Sequence, residues 1–231
     1  MPLNPYDEGR VLLVNKPLHW TSFDVVRKIR NLVRTKKVGH AGTLDPLASG
    51  LLIVCTGKMT KQINQYMAKE KEYRGRFTLG ATTPTYDLES LPENIKSFAG
   101  IGQTELDAAA KQFTSSIMQV PPIHSAIKKD GKPVYLLARK GKEVVLDPRP
   151  VTISAFEVEM PAPPEVLFRV VCSTGTYIRS LAHDFGQALG CGAYMSELCR
   201  TRIGEFKLEE AKTMEEWIAA IQAEMQAAQN G

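Results

Sequence analysis

The sequence predicts an α+β fold built around a mostly antiparallel sheet. Segments of helical and of strand periodicity alternate irregularly along its 231 residues, with no regular βαβ repeat. Glu72 to Leu79 sets Tyr73, Gly75, Phe77 and Leu79 against Glu72, Arg74, Arg76 and Thr78, the two-residue period of a strand. Val151 to Glu159 and Val166 to Cys172 are strand-like runs joined across Pro161 to Pro164. A hydrophobic fraction of 43% supplies enough apolar side chains for a sizeable core and argues against general disorder.

The elements follow in order. Gly9 to Val14 reads as a short strand closed by Asn15-Lys16-Pro17. Thr21, Ser22 and Asp24 offer capping chemistry for a helix from Ser22 to Val33, with Phe23, Val26, Ile29, Leu32 and Val33 on its apolar side. A loop around Asp45 leads into a buried strand, Leu51 to Cys55, and Lys58 to Met67 suits a helix. Leu106 to Phe113 is a further short helix. Pro121 to Pro150 reads as an excursion from the core, with a turn at Lys128 to Lys132 and a short basic helix from Val134 to Lys140. Beyond the paired strands come a helix from Thr176 to Leu189, a strand from Tyr194 to Arg202 and a final helix from Thr213 to Ala227. There is no internal repeat, low-complexity tract or clear linker, so a single domain over residues 1–231 is expected.

Charge and cysteine content narrow the classes. The formal net charge is only +4, so its placement matters more than its total. Arg27, Lys28, Arg30, Arg34, Lys36 and Lys37 run without an intervening acid, and six basic residues between Lys128 and Lys142 face one aspartate. Glu205 to Gly231, with six glutamates and two lysines, is a poor surface for nucleic acid. Met1 to Arg10 has no apolar signal core and no run reaches membrane length, which points to the cytoplasm. Cys55, Cys172, Cys191 and Cys199 form no Cys-x-x-Cys pair, so reduced, mostly buried thiols are expected. The four histidines are scattered, and no metal site is expected.

The most informative stretch is Gly39-His40-Ala41-Gly42-Thr43-Leu44-Asp45-Pro46-Leu47-Ala48-Ser49-Gly50. It presents one carboxylate among small and apolar residues. Pro46 restricts the backbone of Asp45. Taken alone, Asp45 could serve a turn, attack as a nucleophile, act as a base or bind a metal, and the lack of a second nearby acid weakens the last. Tyr73, as a strand aromatic, suits a core. Arg179 falls in the first turn of a helix, where the helix dipole disfavours a cation unless a partner such as a buried carboxylate compensates. Lys58 misses phosphate-loop spacing, there is no Gly-x-Ser-x-Gly elbow, and His183-Asp184 reads as helix surface.

In order along the chain, several segments resemble the bacterial tRNA pseudouridine synthases of the TruB type. These are Asn15-Lys16-Pro17 with Thr21-Ser22, Gly39 to Pro46, Lys71-Glu72-Tyr73, Pro121-Pro122 with Ser125 to Lys128, then Gly131, Tyr135 and Ala138-Arg139, Gly175 to Arg179, and Leu198 to Arg202. The resemblance implies the pseudouridine synthase catalytic fold and conversion of a uridine at position 55, in the T loop of tRNA, to pseudouridine. Asp45 matches the catalytic aspartate, Tyr73 the aromatic that stacks on the flipped base, and Arg179 the arginine paired with the carboxylate. His40, Tyr177 and Leu198 match pocket residues. Lys16, Lys128, Lys129, Lys132, Arg139, Arg200 and Arg202 are expected to contact RNA, with the excursion at about 121–150 acting as a thumb over the T arm. The reaction is a redox-neutral isomerisation, so no cofactor and no metal are implied; tRNA is the expected partner, with no membrane and no obligate protein partner. Many relatives carry a C-terminal PUA domain, and this chain resembles a short form without one. A rival reading is a tRNA-folding chaperone without catalysis; a small-molecule enzyme such as a nucleotide kinase is a third.

Overall fold

The computed structural model describes residues 4–123, 125, 128, 129, 132, 133 and 146–230. Its elements are α1 (Pro5–Glu8), β1 (Val11–Lys16), α2 (Ser22–Val33), β2 (Val38–Ala41), β3 (Ala48–Thr56), a 3-10 turn (Gly57–Gln62), α3 (Ile63–Ala68), β4 (Lys71–Leu79), α4 (Gln103–Phe113) and β5 (Ser116–Gln119). There follow β6 (Lys128–Lys129), β7 (Lys132–Pro133), β8 (Arg149–Ala162), β9 (Glu165–Cys172), α5 (Ile178–Ala188), β10 (Ala193–Ile203), β11 (Phe206–Lys207), a short 3-10 turn (Leu208–Glu210) and α6 (Met214–Asn230). The chain forms two compact units, residues 1–73 with 198–231 and residues 74–197, and the division falls within β4 and β10.

The first unit is organised by β3. Its run Leu51-Leu52-Ile53-Val54-Cys55 is fully buried, as a strand covered on both faces must be. One face packs with Leu12, Val14, Val26, Ile29 and Val33 and with Met214 and Ile221 of α6; the other meets Ala41 and Ile203. β1 lies antiparallel along one edge of β3, from Val11 opposite Cys55 to Lys16 opposite Gly50. The other edge is shared: β10 runs parallel to its start, Leu198 to Arg200 opposite Ala48 to Gly50, and β2 runs antiparallel to its end, Val38 to Ala41 opposite Thr56 to Ile53. Helix α2 begins with a complete capping box, in which Thr21 and Asp24 satisfy each other's backbone amides.

In the second unit β8 pairs antiparallel with β9 on one side and β5 on the other. Phe77, Phe156, Phe168 and Phe185 form an aromatic core in which Phe77 stacks on Phe168 with centroids 4.2 Å apart. Leu106, Ala109 and Ala110 of α4 and Leu181 and Phe185 of α5 are buried there. Within the 121–150 excursion, the backbones of β6 and β7 pair antiparallel. The expected helix at Val134 to Lys140 lies outside the described residues.

Several elements differ from expectation. The segment Lys58 to Met67 is a 3-10 turn before it is a helix, and Gly57, at φ +49°, bends the chain into it. β2 and β5, each four residues long, were not expected. The helix expected from Thr176 starts two residues later, with Tyr177 as its N-cap.

Candidate active site

Asp45 sits half-buried in the turn between β2 and β3, with its carbonyl accepting from the Ala48 amide at 3.0 Å. The turn is fastened at three points. The Ser22 hydroxyl accepts from the Leu44 amide at 2.9 Å and lies 3.2 Å from its carbonyl, fixing the residue before Asp45. The His19 amide donates to the Pro46 carbonyl at 2.7 Å, fixing the residue after it. Arg200, only 1% exposed, donates from Nε to the Leu51 carbonyl at 2.8 Å and from Nη2 to the Gly42 carbonyl at 2.9 Å. Leu51 lies between the stretch of β3 paired with β10 and the stretch paired with β2, so the guanidinium bridges the gap in that edge. Gly42 takes φ +81°, a conformation natural to glycine.

Lys16 is fully buried at the end of β1. Its ammonium donates to the carbonyls of Pro17 at 2.9 Å and Trp20 at 2.6 Å. Burial, and after it the Arg200 cation, push its pKa down to about 8, against the raising influence of Asp45 and Asp24. Lys16 and Arg200 were expected at the RNA surface; the structure instead turns both inward. Each lies on the buried side of its strand, where an ammonium or guanidinium is tolerable only because backbone carbonyls surround it. Arg200 fastens the Asp45 turn, and Lys16 places a buried positive charge within electrostatic reach of Asp45. Arg202 is partly exposed and tied to Glu70 at 2.8 Å and to the Gly204 carbonyl at 2.9 Å.

His40 on β2 places Nε2 3.1 Å from the Thr43 hydroxyl. Burial first, and then the Arg200 cation, lower its pKa, favouring neutral imidazole. Tyr73 on β4 and Leu198 on β10 are both largely buried, at 7% and 6% exposure. Asp45, His40, Tyr73, Leu198, Lys16 and Arg200 all belong to the first unit.

Tyr177 and Arg179 belong to the second. Gln119, buried at the end of β5, grips Tyr177 on both sides. Its carbonyl oxygen accepts from the Tyr177 amide at 2.8 Å and its amide donates to the Tyr177 carbonyl at 3.1 Å. Arg179 occupies the first turn of α5, and the compensating carboxylate is there: Asp87 Oδ2 lies 3.8 Å from Arg179 Nε, with both side chains nearly inaccessible. The Glu89 amide donates to the other Asp87 oxygen at 3.0 Å, and the Thr83 hydroxyl donates to the Asp87 carbonyl at 2.8 Å. Sequence reasoning missed both Gln119 and Asp87, because neither lies in a periodic segment that marks it as buried.

Lys128, Lys129 and Lys132 fall on β6 and β7, where only the backbone is described, and Arg139 lies outside the described residues. Asp184 departs from the expected helix surface; it is half-buried and burial pushes its pKa up to about 6. Cys55, Cys172 and Cys191 are buried free thiols, and Cys199 is half-buried. Among the described residues no cluster of His, Cys, Asp and Glu could hold a metal ion, and no helix is long and apolar enough to cross a membrane.

Residues 30–178 match the model of the TruB family pseudouridylate synthase N-terminal domain, and residues 179–230 that of the tRNA pseudouridylate synthase B C-terminal domain. The chain belongs to the TruB family of pseudouridylate synthases. Among its relatives, tRNA pseudouridine synthase B of Flavobacterium johnsoniae is 49% identical, over 89% of this chain and 93% of the relative. The enzyme of the same name from Bacteroides fragilis is 48% identical, over 92% and 95%. The fold is shared with the solved Cbf5-Nop10-Gar1 complex, at a TM-score of 0.73 and 32% identity over 93% of this chain. A structure of an H/ACA RNP bound to a substrate RNA containing 2'-deoxyuridine matches at 0.70 and 30%, over 95% of this chain. The chain spans about half the length of the chains it matches in those two structures, 54% and 55% respectively. The α+β expectation, with its mixed and mostly antiparallel pairing, agrees with this TruB-family fold.

Proposed function

We propose that this TruB-family chain converts the uridine at position 55, in the T loop of tRNA, to pseudouridine, with Asp45 as the nucleophile. The observation that carries the reading is the Asp45 turn itself. Ser22, His19 and Arg200 immobilise the residues on either side of one carboxylate, beside a buried ammonium. Preorganisation of this kind removes reorganisation from the chemical step. Asp45 bonds to the target nucleotide, at the base or at the ribose, and is released again. In between, the N1–C1′ bond breaks, the uracil turns, a C5–C1′ bond forms, C5 loses a proton and N1 gains one. No electrons are gained or lost, so the reaction needs no redox cofactor.

In this reading Arg179 takes the role that the family resemblance gives it, the arginine that keeps the nucleophile ionised. Tyr73 stacks on the flipped base, which repays part of the few kcal/mol that flipping costs, and handles the C5 proton. His40, Tyr177 and Leu198 shape the pocket; neutral imidazole suits an uncharged base. Residues 121–150 act as the thumb, with Lys128, Lys129, Lys132 and Arg139 on the phosphates of the T arm, and Arg202 adds to the RNA surface. The two units serve as one catalytic domain, acting in the cytoplasm.

The test is incubation with unmodified tRNA transcript, assayed for pseudouridine, alongside Asp45→Asn. Product is expected from the wild type and none from the variant, with similar tRNA affinity. Product from Asp45→Asn at the wild-type rate refutes the role of Asp45. Wild-type binding without product favours a tRNA chaperone instead.

A further inference from the structure

The basic side of α2 is absorbed by none of these roles, yet it borders a cleft of about 270 Å³ lined by His19, Trp20, Asp24, Arg27, Lys28 and Asn31. Asp24, Arg27, Lys28 and Asn31 recur at helical spacing and form one stripe. Val25, Val26, Ile29 and Val33 bury the opposite side. The single carboxylate in the cleft is already engaged. Asp24 accepts from the Thr21 amide at 3.0 Å and its hydroxyl at 2.6 Å, and holds Arg27 at 2.7 Å. It therefore aims one guanidinium and caps the helix, leaving Arg27 and Lys28 exposed at the rim.

The aromatic wall is fixed to the Asp45 turn. His19 takes φ +65°, a left-handed conformation uncommon outside glycine, in which histidine is enriched alongside asparagine and aspartate. The bond from its amide to Pro46 holds it there, and the Trp20 carbonyl receives the Lys16 ammonium. Nearby along the chain, Leu18 and Phe23 are 50% and 58% exposed, which the core does not require. Cations, an amide, an exposed imidazole and a half-buried indole line one cleft, the combination that grips a single nucleic-acid strand: charge for phosphate, rings for a base or ribose face. An anion alone would make no use of the rings.

We propose that this cleft binds a nucleotide of the substrate RNA strand other than the target uridine, with Arg27 and Lys28 on its phosphate and His19 or Trp20 against its base or ribose. This rests on the reading of the chain as a tRNA pseudouridine synthase. It adds a contact that approaches the Asp45 turn from the α2 side, independent of the thumb.

The experiment uses the full chain carrying Arg27→Gln with Lys28→Gln. Both residues are exposed, and an unchanged unfolding midpoint confirms the fold. As a charge-matched control, Lys111→Gln with Lys207→Gln removes two exposed lysines elsewhere. Affinity for unmodified tRNA transcript is measured across a salt series, together with the single-turnover rate at saturating RNA. The groove variant is expected to bind about tenfold more weakly, with its log–log salt slope reduced by about 1 to 2, as expected for the loss of one or two phosphate contacts. Its saturating rate should stay within about twofold of wild type. An unchanged affinity and slope, or an equal loss in the control, overturns the proposal. Because binding is read separately from product, a chain that makes no pseudouridine would refute the catalytic reading while the cleft is still decided by affinity.

Discussion

Replacing Arg200 with Met tests whether a buried cation holds the Asp45 turn. The substitution keeps much of the aliphatic length but removes both donors, at 2.8 Å to Leu51 and 2.9 Å to Gly42. Hydrogen bonds from a charged group are worth about 1.5–3 kcal/mol each, and a buried carbonyl left without its donor costs about 1–3 kcal/mol. Against this, the variant no longer buries a guanidinium, which recovers part of the loss. The net expectation is destabilisation by about 2–4 kcal/mol, read as a lower midpoint in urea unfolding. Arg200→Lys should recover little, since one ammonium cannot reproduce the fork that reaches two carbonyls. A second readout is local. Arg200 contributes to the lowering of the His40 pKa, so Arg200→Met should raise the His40 midpoint in an NMR titration while burial still keeps it below the usual histidine value. Stability within about 0.5 kcal/mol of wild type, a threshold set by ordinary surface substitutions, together with an unmoved His40, would refute the reasoning.

Two glycines of the same region should respond oppositely in size. A Cβ at Gly50 would lie 2.4 Å from the Arg200 carbonyl oxygen, so Gly50→Ala should cost more than about 3 kcal/mol in urea unfolding. At Gly42 the nearest atom is 3.5 Å away, leaving only the strain of φ +81°, about 1–2 kcal/mol. Lys16, at about 8 when folded against 10.5 ordinarily, binds its proton less readily in the folded state. Stability should therefore rise with pH from about 8 toward 10, and Lys16→Met should flatten that rise; above pH 10 Tyr6, pushed up to about 12 by burial, pulls the other way. Asp184, about 6 when folded against 3.8 ordinarily, favours the fold only while protonated and loses that as pH rises from 3.8 to 6. Asp184→Asn should thus raise the unfolding midpoint at pH 8, by about 1 kcal/mol after discounting for its partial exposure, and give no gain at pH 3.5.

The segments most legible in the sequence were those whose burial is decided locally. The β3 run is apolar on both faces, and α2 carries its cap and most of its apolar spacing within a few residues, although Phe23 is exposed and Val25 is buried instead. β2 was not legible, because four residues including Gly39 and His40 become a strand only through pairing with β3. The Asp45 turn was visible from composition, but the direction of its neighbours was not. Lys16 and Arg200 look like surface cations by residue type. Yet Leu12, Val14 and Lys16 alternate onto one face of β1, and Leu198 and Arg200 onto one face of β10, and that period was the available signal of their burial. Asp87 and Gln119 carried no such signal, since their partners, Arg179 and Tyr177, lie far along the chain from them.

The Asp45 turn lies early in the chain, but its guanidinium brace comes from β10, and the core beside it is closed by Met214 and Ile221 of the last helix. During synthesis on the ribosome, the first 73 residues therefore emerge without the partners that complete their unit. Residues 74–197 form a continuous stretch and have no such wait. Asp45 is thus made early and is among the last groups to be locked in place. A nascent chain stalled before Arg200 would carry Asp45 on a turn without its guanidinium brace.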